Sequence, residues 1–134
     1  RRLVLNILTN MKKILIIDDD EIIAKILNSE LSSRGYNVLR AENGKIGLEK
    51  TIKEKPDLVL LDLIMPERGG IEFLEESKGN EELAGLSVFI LSQISNFEKI
   101  AEGAELGIKG YIIKSESNLS SIVQQIEREL KEEK

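Results

Sequence analysis

The chain has 134 residues, 41% of them apolar and 32% charged, which is one soluble domain's worth with room for a core. The formal net charge of −5 comes without a basic stripe and argues against a nucleic-acid surface. With no Cys and no His, disulfide, thiolate and imidazole chemistry are all excluded, so metal ligation would use oxygen and would suit a hard cation such as Mg²⁺. No apolar run is long enough to span a bilayer. The opening RRLVLNILTN is too short for a signal peptide and has no small-residue cleavage site. It reads as a leader, an expression remnant or a linker tail over residues 1–10, with the natural domain over 11–134 beginning at Met11.

Apolar runs at 13–17, 36–40, 57–61, 86–91 and 109–113 read as strands, short and nearly continuous as in buried parallel sheets. Helical patterns alternate with them. Between Glu21 and Ser33, Ile22, Ile23, Ile26, Leu27 and Leu31 are expected on one inner face, and Gly35 ends the helix. A second helix near 44–54 should bury Ile46, Leu48 and Ile52 and stop before Pro56. A third, from about Gly70 to Lys78, uses Ile71, Phe73 and Leu74. Asn96 can cap a fourth that reaches Leu106, with Gly107 as its stop, and Asn118 or Ser117 can cap a fifth with Leu119, Ile122, Val123, Ile126 and Leu130 inside. Five βα units with right-handed crossovers predict an α/β, flavodoxin-like doubly wound parallel sheet of order 2-1-3-4-5. No output domain is expected on the C-terminal side.

In such sheets ligands bind outside the carboxyl ends of the strands. Those ends carry Asp18-Asp19-Asp20, Asp62, Ser92 and Lys114. Clustered carboxylates repel: two unit charges at 4 Å cost roughly 4 kcal/mol at an effective dielectric near 20. Asp18, Asp19 and Asp62 balance against one Mg²⁺ and the Lys114 ammonium. Taken alone, the acidic triplet is equally well a solvated turn capping the helix at Glu21; Asp62 and Lys114 at other strand ends favour a site. Asp62 is the candidate nucleophile, able to form an aspartyl phosphate, with Mg²⁺ and Lys114 neutralising the transferring group. Ser92 could donate to a phosphate oxygen, although a Ser after a strand is more often a turn residue.

The segments ILIIDDDE, PDLVLLDLIMPERGG, VFILS and GYIIK, in order and spacing over about residues 12–130, resemble the receiver (response-regulator) domain of two-component signalling. The resemblance implies that Asp62 is the phosphoacceptor. It implies Asp18, Asp19, Asp62 and the backbone carbonyl of Ile64 around Mg²⁺, with Asp19 the more direct ligand of the acidic pair. Lys114 would contact the phosphate, Ser92 would be the switch hydroxyl and Tyr111 the switch aromatic. The partners implied are a histidine kinase or His phosphotransfer protein as donor, and a downstream effector or an output domain on another chain. The surface of helix 4, strand 5 and helix 5, roughly 96–130, would engage that effector. A cytoplasmic monomer or weak dimer is implied, without direct nucleic-acid or membrane binding and without enzymatic turnover.

The sequence departs from the family at Ser115, where Pro is usual, so a cis peptide after Lys114 would cost roughly 3 kcal/mol. It departs again at Gln93, where a small residue is usual and where a long side chain would narrow access to the phosphoryl group. Asp20 reads as a helix cap. Two other readings remain: a pseudo-receiver that binds partners without phosphorylation, and a dehalogenase-like phosphatase. The second lacks an acidic metal ligand on a strand after Lys114.

Overall fold

A computed structural model describes residues 11–65, 68–92 and 97–132, apart from the side chains of Glu116 and Glu132. Five strands, β1 (Lys13–Ile17), β2 (Asn37–Ala41), β3 (Leu58–Asp62), β4 (Val88–Ser92) and β5 (Gly110–Ile113), pair in parallel in the order β2-β1-β3-β4-β5. Five α-helices alternate with them: α1 (Glu21–Ser33), α2 (Gly44–Glu54), α3 (Gly70–Lys78), α4 (Phe97–Glu105) and α5 (Leu119–Glu132). Two single 3₁₀ turns, Glu81–Leu83 and Lys114–Glu116, were not expected from the sequence.

Side chains alternate across the sheet along each strand. Ile14 and Ile16 therefore face one layer, with Leu60 and Leu91, against Leu27 and Leu31 of α1 and Val123, Ile126 and Leu130 of α5. Leu15 and Ile17 face the other, with Val59 and Leu61, against Phe73 and Leu74 of α3. Ile90 and Leu63 pack with Ile100 of α4 on that same side. Each fully buried Leu or Ile contributes about 1.5–3 kcal/mol by leaving water. The three central strands, β1, β3 and β4, are apolar along nearly their whole length because both of their faces are covered.

Two inner faces differ from the sequence reading. In α1 the buried seam is Ala24, Leu27 and Leu31, while Ile22 is 71% and Ile26 49% exposed. At about 100° per residue, Ile22 and Ile26 lie well round the helix from that seam. In α2 the buried residues are Gly44, Gly47 and Thr51, and Ile46, Leu48 and Ile52 are half-buried at the flanks. The helix lies too close to β1 for a large residue in the middle: a Cβ on Gly47 would come within 2.6 Å of Ile17 Cδ1.

The stops hold. Gly35 and Gly107 have φ of +96° and +89°, the left-handed region glycine tolerates. Asn118 is the α5 cap, its Oδ1 accepting the Ser121 amide at 2.8 Å. The proposed cap Asn96, the access residue Gln93, Pro66 and residues 1–10 lie outside the described residues.

Candidate functional site

β1 delivers Asp18 to the edge of the sheet, fully buried. Its amide donates to Ala41 O at 3.0 Å, and its Oδ1 accepts the Asp20 amide at 2.9 Å. Asp20 then turns away from the cluster, its Oδ1 accepting the amides of Ile22 and Ile23 at 3.1 and 3.2 Å. It is the α1 cap, as the sequence suggested, and leaves the neighbouring acids for other work. Asp62 is the last residue of β3, buried, with Oδ1 accepting the Ile64 amide at 3.3 Å. One oxygen from each of Asp18, Asp19 and Asp62 falls within 4.8 Å of the others.

Lys114, just past β5, points into the cluster. Its Nζ lies 3.0 Å from Asp18 Oδ2 and 3.6 Å from Asp62 Oδ2. One ammonium thus serves two buried carboxylates, and the balance shows in their proton affinities. Burial, and then the Asp18 charge, push the Asp62 carboxyl up to about 7, over the opposing pull of Lys114 and the Ile64 amide. Burial pulls the Lys114 ammonium down, but Asp18 and Asp62 outweigh it and the group ends raised.

Asp18 Oδ2 receives no well-directed hydrogen bond, although Lys114 Nζ is at ion-pair distance. A buried carboxylate oxygen with unused lone pairs, beside two further carboxylates, is what an oxygen-binding divalent cation would satisfy. The donor set is all oxygen and fits Mg²⁺.

Of the other expected residues, Ser92 and Ile64 lie near the same edge and Tyr111 sits further back in β5. Ser92, fully buried, ends β4; Leu91 registers with Asp62, and Ser92 registers with Ile113, next to Lys114. Tyr111 pairs with Ile90, shares the α4 side of the sheet with it and is 51% exposed. Ile64 lies two residues past Asp62 with its side chain half exposed. Two contributors were not legible in the sequence. Arg40 donates to the Asp18 carbonyl from β2, a proximity that only the Ile16–Arg40 register creates. Gly70 passes so close beneath Asp62 that a Cβ there would meet Asp62 O at 2.6 Å.

A family model, the response regulator receiver domain, matches residues 14–127. The chain belongs to this family. Sporulation initiation phosphotransferase F of Bacillus subtilis is 40% identical over 96 residues, 72% of this chain and 76% of that protein. The alkaline phosphatase synthesis transcriptional regulatory protein PhoP of the same organism is 36% identical over 103 residues, 77% of this chain but 42% of PhoP. The chain spans about half the length of other transcriptional regulators it matches, such as ycf27 of Porphyridium aerugineum. Among solved structures, a CheY-like receiver domain protein from Methanospirillum hungatei superposes with a TM-score of 0.83 at 28% identity, covering 92% of this chain and 96% of that one. The chemotaxis protein CheY4 of Vibrio cholerae gives 0.80 at 27%, covering 88% and 98%.

This receiver domain is therefore a signalling module of two-component systems, with the flavodoxin-like order expected from its strand pattern. Ser115 lies in the short 3₁₀ turn Lys114–Glu116, and no described peptide bond is cis. None of the described helices is long and apolar enough to cross a membrane.

Proposed function

We propose that this receiver domain accepts a phosphoryl group on Asp62 from a phosphohistidine of a separate kinase or phosphotransfer protein. The donor histidine lies outside these 134 residues, which contain none. An Asp62 carboxylate oxygen attacks phosphorus as the P–N bond breaks; the acyl phosphate forms and the imidazole leaves. Asp18, Asp19, Asp62 and the Ile64 carbonyl would hold Mg²⁺, which supplies charge neutralisation at the transferring oxygens. Lys114 turns from Asp62 to the phosphate, a shift of partner rather than of position. Ser92 contacts another phosphate oxygen and draws its strand end inward. Tyr111 then turns from solvent toward the space Ser92 vacates, changing the surface over roughly 96–130 that a downstream effector reads.

The single observation behind this reading is Lys114 Nζ within ion-pair reach of both Asp18 and Asp62 at the mouth of a three-carboxylate cluster. A relative named as a phosphotransferase agrees with the chemistry. The module works as a switch without turnover, in the cytoplasm where histidine kinases present their phosphohistidines, as a monomer or weak dimer; its acidic charge disfavours nucleic acid. The test is intact-mass spectrometry with acetyl phosphate and Mg²⁺. Wild type should gain one phosphoryl mass and Asp62→Asn none. Equal uptake by both would remove Asp62 as acceptor.

A further inference from the structure

The three acids of the cluster are not held equally. Asp18 is fixed by the Asp20 amide and Lys114, and Asp62 by the Ile64 amide and Lys114. Among the described residues, no hydrogen bond or ion pair reaches the exposed Asp19 carboxylate, so its place within the trio depends on the backbone that carries it. That backbone is held at the peptide between Asp18 and Asp19. Arg40 donates to the Asp18 carbonyl from Nη2 at 2.9 Å and from Nε at 3.3 Å. Two donors from one planar guanidinium fix the carbonyl's direction as well as its distance. The Asp18 amide is tied to Ala41 O, the residue after Arg40, so the edge strand grips both sides of Asp18. Arg40 is anchored in turn, because Lys50 Nζ of α2 donates to its carbonyl.

We propose that Arg40 is a positioning residue for the metal site: it holds the Asp18–Asp19 peptide so that the otherwise unsupported Asp19 carboxylate faces Asp18 and Asp62. The inference rests on the reading of those three acids as the Mg²⁺ site. Arg40 also brings a positive charge, which by itself would repel a cation. Direction of effect therefore separates the two roles: lost positioning weakens Mg²⁺ binding when Arg40 is removed, whereas lost repulsion strengthens it. Outer-shell partners typically matter by 10- to 100-fold in metal affinity.

The experiment is calorimetric titration of the full chain with MgCl₂, without phosphodonor, for wild type, Arg40→Met, Arg40→Lys, Asp19→Asn and the Arg40→Met/Asp19→Asn double variant. Arg40→Met should bind about tenfold more weakly, and Arg40→Lys, which keeps the charge but not the planar two-donor fork, should recover only a minor part of that loss. In the Asp19→Asn background, Arg40→Met should add little, since its effect passes through Asp19. Equal or tighter binding by Arg40→Met, or additive losses in the double variant, would overturn the proposal. Arg40→Gln, which keeps one donor arm without the charge, should fall between wild type and Arg40→Met and serves if Arg40→Met does not fold. Wild type that binds no Mg²⁺ would instead sink the metal-site reading on which the inference stands.

Discussion

Lys114 makes its shorter ion pair with Asp18, at 3.0 Å, and its longer one with Asp62, at 3.6 Å. The lysine is thus anchored on a carboxylate that is not the proposed acceptor, and can change partners on the Asp62 side without leaving the site. All three side chains are nearly inaccessible, so removing the cation leaves uncompensated buried charge. Lys114→Met should lower the stability of the metal-free protein by about 3 kcal/mol. It should still bind Mg²⁺ at least as well as wild type, because a competing cation is gone, yet take up phosphate from acetyl phosphate on the order of 10²-fold more slowly. Denaturant titration, calorimetry and time-resolved intact mass read the three effects; unchanged uptake would show that Lys114 does not assist transfer.

The raised proton affinity of Asp62 gives a pH dependence. Burial and Asp18 raise the Asp62 carboxyl from 3.8 to about 7 in the folded protein. Between those values the folded chain holds a proton that the unfolded chain has lost, so this group's contribution to stability is greatest at low pH and falls as pH rises through the window. Asp62→Asn cannot ionise and lacks that slope. In EDTA, the stability of Asp62→Asn relative to wild type should climb by up to ~1.4 kcal/mol per pH unit across the window, and Mg²⁺ should close the gap by stabilising wild type. A difference that stays flat from about pH 4 to about pH 7 would contradict the raised proton affinity of Asp62.

Much of this was legible in the sequence, for a physical reason. Strands covered on both faces must be apolar along their length, so Ile14–Ile17, Leu58–Leu61 and Val88–Leu91 announced themselves, and the polar residue ending each run marked the edge where ligands bind. Asp20 was legible as a cap because capping is local. What escaped the sequence depends on distances between elements. α2 presses Gly47 against Ile17, and its isoleucines sit at the flanks of that contact. Ile22 and Ile26 look like core and are exposed. Arg40 reaches Asp18 only through strand register.

Gly70 tests how tightly the acceptor is packed from beneath. A Cβ there would lie 2.6 Å from Asp62 O and 2.8 Å from Leu63 Cα, backbone atoms that cannot rotate away. Gly70→Ala should cost roughly 1–3 kcal/mol by overpacking and slow phosphoryl uptake by displacing Asp62. Gly85→Ala, where a Cβ meets nothing within 4 Å, should leave uptake unchanged and lose stability only through its φ of +81°. Equal uptake by the two variants would show that the close approach at Gly70 does not position the acceptor.

The switch is testable with fluorescence, because the chain has no Trp and two Tyr. In a Tyr36→Phe background Tyr111 is the sole emitter. Acrylamide quenching should fall when acetyl phosphate and Mg²⁺ are added, as the half-exposed ring turns in. With Ser92→Ala added, phosphorylation should proceed but quenching should stay at its resting level. Quenching that drops equally in both would uncouple Tyr111 from Ser92.

The most direct measurement is location of the phosphoryl group. After reaction with acetyl phosphate and Mg²⁺, borohydride reduces an aspartyl phosphate to homoserine, which peptide mass spectrometry places in the sequence. The account predicts homoserine at position 62 alone, and none when EDTA replaces Mg²⁺. Homoserine at 18 or 19, a stable phosphoester on Ser92, or label at 62 that forms equally well without the metal would contradict it.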